Sequence, residues 1–130
     1  MPDSVSLPRI KQIAVPVDSV EKAKTFYRDT LGMKHLFDAP PALSFFDCGG
    51  VRLMLCGPEA QGKDGDTQHA VLFYDTDDIK TTYAQIKASG APSLADPHII
   101  ARMNGREVWV AELSDGQGNN VSLISEVAET

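Results

Sequence analysis

The strongest constraint in this sequence is that it states one pattern twice. Near the start, the apolar run Ile13-Ala14-Val15-Pro16-Val17 leads into Asp18-Ser19-Val20 and a helical stretch that stops at Leu31-Gly32. In the second half, Val71-Leu72-Phe73-Tyr74-Asp75 leads into Thr76-Asp77-Asp78-Ile79 and a helical stretch that stops at Ser89-Gly90. Each copy reads as an apolar strand, an acidic helix cap, an amphipathic helix and a glycine stop, followed by strand pairs with tight turns. Two copies of one module in a short chain predict a pseudo-symmetric α+β domain, with a cleft where the copies meet.

At 130 residues the length fits a single domain, 1–130, of two half-size modules. A chain of this size buries roughly two thirds of its unfolded surface and needs no staples. The first module spans about 10–56. It contains a strand over Ile10–Val17, then Asp18 as helix cap with Glu21 completing a capping box, and Val20, Ala23, Phe26, Tyr27 and Leu31 at helical spacing. A strand over Met33–Phe37 follows and is broken by Ala39-Pro40-Pro41. Leu43–Cys48 and Val51–Cys56 are strands joined by Gly49-Gly50, a hairpin signal. Residues 57–68 are polar and glycine-rich and read as the linker.

The second module, about 69–125, repeats the order. A strand lies near His69–Thr76 and a helix near Asp78–Ser89. His98–Met103 and Glu107–Leu113 pair across Asn104-Gly105, and Val121–Ser125 closes the module before a polar tail.

Composition narrows the functions. Net charge is −6, and Lys and Arg are scattered, which argues against nucleic acid as a partner. No apolar run approaches the ~18 residues of a membrane span. Met1-Pro2-Asp3-Ser4 lacks the basic region and apolar run of a signal peptide, so Cys48 and Cys56 are expected to be reduced thiols in a cytoplasmic protein. There is no P-loop, dinucleotide glycine motif, serine elbow or zinc-binding cysteine cluster.

Side chains alternate across a strand, so each strand has a helix-facing set and an opposite set. Ile13, Val15 and Val17 should pack under the first helix, as should Val51, Leu53 and Leu55. Leu72 and Tyr74 are matched to Val15 and Val17, and Val121 and Leu123 complete the set. The opposite face collects Gln12, Arg52, Met54, Cys56, His69, Phe73 and Ser122. That mixture suits a semi-polar pocket for a small organic ligand. The competing reading is a dimer surface or ordinary exposed sheet.

The paired modules, the segment Phe26-Tyr27-Arg28-Asp29-Thr30-Leu31-Gly32 and the closing turn Asp115-Gly116-Gln117-Gly118-Asn119 resemble the vicinal oxygen chelate superfamily. Its members include glyoxalase I, methylmalonyl-CoA epimerase, extradiol dioxygenases and bleomycin resistance proteins. The resemblance runs from about Ile10 to Glu126. At the closing turn, Gly116 stands where the family usually has proline, and Gln117 where it has a second acid. The resemblance implies two βαβββ modules curling a mixed sheet around a cup, helices on the outer face, often as a homodimer. In enzymatic members the cup binds a divalent metal through one ligand on the first and one on the last strand of each module. Those places here are Gln12, Met54, Val71 and Ser122.

As a metal set these four fail on chemistry. Gln12 is a single neutral donor, Ser122 a weak one and Val71 none, while Met54 offers a soft thioether and no carboxylate joins them. No cofactor is therefore expected. A shifted metal site with Gln12, His69 and Glu112 requires a donor to move about 6.6 Å along its strand.

Other candidates lie around the cup. His98, Arg102 and Glu107 flank the Asn104-Gly105 hairpin and read either as a ligand or acid–base group or as spaced surface charges. Trp109 reads as a pocket wall or as core. Arg52 needs a partner, which is Asp47, Asp75 or Glu112, or else a ligand's carboxylate. Cys56 has no visible base to activate it as a nucleophile. Two function classes follow. One is a metal-free small-molecule binding protein. The other is a lyase, isomerase or dioxygenase with an unusual or absent metal, using His69, His98 or Glu112. A blander third option is an accessory protein whose sheet face lies against another chain.

Overall fold

The computed structural model describes residues 8–60 and 71–129. The expected linker, 57–68, lies largely outside the described residues, as does His69. The described start of the linker forms a short 3-10 turn at Pro58–Ala60.

Each module makes a four-stranded sheet of the same order. In the first, β1 (Gln12–Pro16) runs parallel to β4 (Val51–Cys56), which pairs antiparallel with β3 (Leu43–Cys48) and then β2 (Lys34–Ala39). The second repeats this with β5 (Phe73–Asp75), β8 (Asn120–Ala128), β7 (Arg106–Ser114) and β6 (Ser93–Met103). The same backbone bond closes the first strand of each module: the Val17 N–H donates to the Cys56 carbonyl at 2.9 Å, and the Thr76 N–H to the Ile124 carbonyl at 3.0 Å. This equivalence corrects one expected match: Tyr74 corresponds to Val15, and Leu72 to Ile13. The two sheets are separate four-stranded units, curled and carrying their helices on one face, and the fold is α+β.

Local chemistry explains the helices. In α1 (Val20–Thr25) the cap is Ser19, not Asp18; its Oγ accepts the Lys22 N–H at 3.3 Å. Ser19 is held extended because its own N–H donates to Gln117 Oε1 at 2.7 Å. The helix then widens into a π-helical turn at Phe26–Thr30, closed by the Leu31 N–H on the Phe26 carbonyl. In α2 (Ile79–Ala88), Asp78 caps through Thr81 as the sequence predicts.

Two strands exceed their predicted bounds by more than two residues. β6 starts at Ser93, because Pro97 falls in an irregular stretch of an edge strand, where a missing N–H breaks no ladder. β8 runs to Ala128, because Arg106 and Glu107 of β7 offer it a continuing ladder.

The core has two clusters. One holds Val15, Val17, Ala23, Tyr27, Phe46, Leu53 and Leu55 under α1; the other holds Ile79, Tyr83, Ile86, Leu113, Val121 and Leu123 under α2. Phe26 and Leu31 pack against both. Across the seam, the buried Tyr27 hydroxyl donates to Asp115 Oδ2 at 3.0 Å, and Asn119 Nδ2 donates to the Pro16 carbonyl at 2.7 Å. The closing turn is thus a clasp between modules. Among the described residues, no helix is long and apolar enough to cross a membrane.

Candidate functional site

The face away from the helices is the floor of the cup. The first module contributes Gln12 and Ala14 from β1, Arg52 and Met54 from β4, Phe45 from β3 and Phe37 from β2, all on one side by ladder register. The second contributes Phe73, Ser122, Glu112, Val110 and His98. Phe73 and Phe37 are exposed on this face.

Four contacts define the first module's half. Arg52 Nε donates to Gln12 Oε1 at 2.6 Å, and Gln12 Nε2 contacts Met54 Sδ at 3.6 Å. The Arg52 guanidinium lies over the Phe45 ring, 5.3 Å from its centroid, and Phe45 stacks on Phe37 at 4.5 Å. The internal ion pair expected for Arg52 does not form: no carboxylate of the described residues comes within salt-bridge distance. Asp47 faces Arg52 across the β3–β4 ladder, but Asp47 Oδ1 accepts the Gly50 N–H at 3.3 Å in the hairpin turn.

In the second module's half, Ser122 is fully buried and its Oγ has no hydrogen-bond partner among the described residues. Its register neighbours on this face are Phe73 and Glu112. Glu112 Oε2 is 3.4 Å from Asn120 Nδ2. His98 Nδ1 is 2.7 Å from the Asp96 carbonyl. A carbonyl only accepts, so Nδ1 carries the proton and Nε2 is left for another partner.

The four positions expected to hold a metal do not suit one. Gln12 Oε1, the one good donor, already accepts from a guanidinium, whose positive charge stands against a second cation at that oxygen. Met54 offers only sulfur, Val71 is an exposed side chain without a donor, and Ser122 is a single hydroxyl. Among the described residues, no group of three or more His, Cys, Asp or Glu could hold a metal ion.

Two sequence-predicted candidates fall elsewhere. Trp109 sits on the helix face of β7, packed against the second core; Lys80 lies over its ring at 4.9 Å and its Nε1 donates to Glu107 Oε1 at 3.2 Å. It is therefore not a wall of the cup. Nor do His98, Arg102 and Glu107 converge: Arg102 pairs with Glu107 at 3.7 Å and with Glu129 at 3.6 Å, away from His98. Sequence reasoning missed Phe45 and Phe37: Phe45 alternates with the core residue Phe46 along β3, and Phe37 is its partner across the β2–β3 ladder.

Of the two cysteines, Cys48 is half-buried and Cys56 buried. Burial raises the pKa of each, and Asp47 adds to the effect at Cys48, so neither is an activated nucleophile.

Residues 9–122 match the sequence profile of the Glyoxalase/Bleomycin resistance protein/Dioxygenase superfamily. The chain belongs to that superfamily. Within curated proteins it is similar to the uncharacterized protein YetH of Bacillus subtilis, 27% identical over 69% of this chain and 79% of YetH. Among solved structures, the lactoylglutathione lyase of Agrobacterium tumefaciens superposes with a TM-score of 0.73 at 22% identity, covering 92% of this chain and 95% of that one. An antibiotic binding protein from a Streptomyces species, TnmS3, superposes with a TM-score of 0.68 at 23% identity, covering 94% of this chain and 98% of that one. At these identities the likeness shows the glyoxalase-like fold. For this superfamily member, the chemistry must be argued from its own cup.

Proposed function

We propose that this protein is a metal-free small-molecule binding protein of the superfamily, holding its ligand in the cup. The observation that carries this reading is the 2.6 Å bond from Arg52 to Gln12. A fixed organic cation occupies the oxygen that a divalent ion would need. The exposed Phe37, stacked on the Phe45 ring that backs Arg52, offers flat apolar surface, which a ligand covers more readily than water does. The structural likeness to an antibiotic binding protein is consistent with such a role.

The test is elemental analysis of protein purified without chelator. We expect no divalent metal near stoichiometry. One metal per chain, retained through gel filtration, overturns the reading.

A second reading, an acid–base enzyme, draws on His98, whose oriented ring leaves Nε2 free on the cup face. It requires turnover of a cup ligand that His98→Gln abolishes while binding persists.

A further inference from the structure

A cavity opens at the seam between the modules, on the helix side of the second sheet. Its volume is about 410 Å³, near the lower end of the ~300–1,000 Å³ that small-molecule sites occupy. Tyr74 and Leu123, register partners across β5 and β8, both line it. Leu123 belongs to the core under α2 and Tyr74 packs against that core, so both face away from Phe73 on the neighbouring position of β5. Ile86 of α2 lines the cavity as well, and Leu31, Met33 and Cys48 close it from the first module.

The polar groups of this wall differ in what they have left to offer. The Thr76 and Thr82 hydroxyls bond to each other at 2.7 Å. The Tyr74 hydroxyl and the Cys48 thiol make no hydrogen bond among the described residues. Burial raises the pKa of both groups, with Cys48 and Asp115 adding to the effect at Tyr74 and Asp47 at Cys48. Both therefore keep their protons and stay donors. No Lys, Arg or His lines the cavity and Asp75 is its one acidic residue, so nothing there compensates an anion. A carbonyl oxygen suits this wall, because it is uncharged and accepts through two lone pairs.

We propose that the seam cavity is a ligand site distinct from the cup. It takes a small, uncharged ring ketone, whose carbonyl oxygen accepts from the Tyr74 hydroxyl while its hydrocarbon body lies against Leu31, Ile86 and Leu123. None of these residues belongs to the cup floor, so the site does not depend on whether the cup holds a metal.

The experiment is an amide NMR titration of the full chain with α-tetralone, a bicyclic ketone, and with naphthoate, an anion of similar size. Tetralone should shift the Leu31, Cys48, Tyr74 and Ile86 resonances to saturation, and naphthoate should leave them in place. Tyr74→Phe keeps the ring and removes the hydroxyl. It should weaken tetralone binding about threefold to tenfold. Tetralin, the same skeleton without the carbonyl, should bind both forms alike. Undiminished tetralone affinity in Tyr74→Phe overturns the proposal, as do shifts confined to the cup floor, equal binding of naphthoate in the cavity, or no shift up to the solubility of tetralone. If Tyr74→Phe does not fold, alkylation of the unmodified protein by iodoacetamide decides, with peptide mapping to separate Cys48 from Cys56. Saturating tetralone should slow the reaction at Cys48 several-fold, and an unchanged rate there overturns the proposal.

Discussion

Gly57 shows what a single residue contributes here, because space constrains it rather than backbone sign. It is buried at the end of β4, and its N–H donates to the Ala42 carbonyl at 2.9 Å. A Cβ added there would lie 2.7 Å from Val20 Cγ2 and 2.9 Å from Ala42 Cβ. Gly57→Ala should therefore cost about 1–3 kcal/mol by overpacking, more than the ~0.4–1 kcal/mol that reduced freedom of the unfolded chain returns. Urea denaturation measures it. In a Val20→Ala background the penalty should shrink; an unchanged penalty would mean the Val20 contact is not the cause. Nothing in the sequence marks this glycine, since the neighbour it protects is 37 positions away. The same limit hid the state of Arg52. Alternation along β4 placed it on the cup face, but whether its fork met Asp47, Asp75, Glu112 or Gln12 depended on side-chain reach. The hairpin turn decided it by engaging Asp47 first.

At the scale of elements, the hairpins were the most legible, because their turns need residues that tolerate positive φ. Asn104 and Gly105 sit at φ 54° and 73°, and Gly49 and Gly50 at 60° and 91°, and the strands beside each turn start where the turn ends. Gly105→Val places a β-branched side chain in the left-handed region and should cost about 1–2 kcal/mol. Loss of β6–β7 ladder protection in amide hydrogen exchange would accompany it; unchanged stability would contradict the turn assignment. The first helix was less legible. Its apolar spacing reads as one continuous helix to Leu31, yet the chain changes to π-winding at Phe26. Phe26 packs against both cores while adjacent Tyr27 is buried in the first and bonds to Asp115. Turning two neighbouring aromatics toward the seam is a tertiary demand that helical periodicity does not encode.

For the whole molecule, the repeat predicted two equivalent modules but not how firmly they are joined. The join is polar as well as apolar. Asp115 is 4% exposed and accepts from the Tyr27 hydroxyl, the N–H groups of Gln117 and Asn119, and Asn119 Nδ2. Burial, then the nearby Asp115 charge, raises the Tyr27 pKa far above its usual value, which keeps the phenol a donor. Phe26 and Leu31 meanwhile belong to the surroundings of both cores. Breaking either module would expose this seam, so the modules should unfold together. The chain carries its own reporters. Trp109, the single tryptophan, packs on the second core, and Cys56 is buried in the first module. In a Cys48→Ser background, Trp109 fluorescence and Cys56 thiol reactivity should give the same urea midpoint, as an all-or-none transition requires. Tyr27→Phe should cost about 1–3 kcal/mol and so lower that shared midpoint, because it removes one of the two hydrogen bonds on the buried Asp115 Oδ2 without disturbing the ring. Should the variant split the two probes, the clasp is what couples the modules. Should the unmodified chain already show two midpoints, the modules are independent folding units and the seam is only a contact between them.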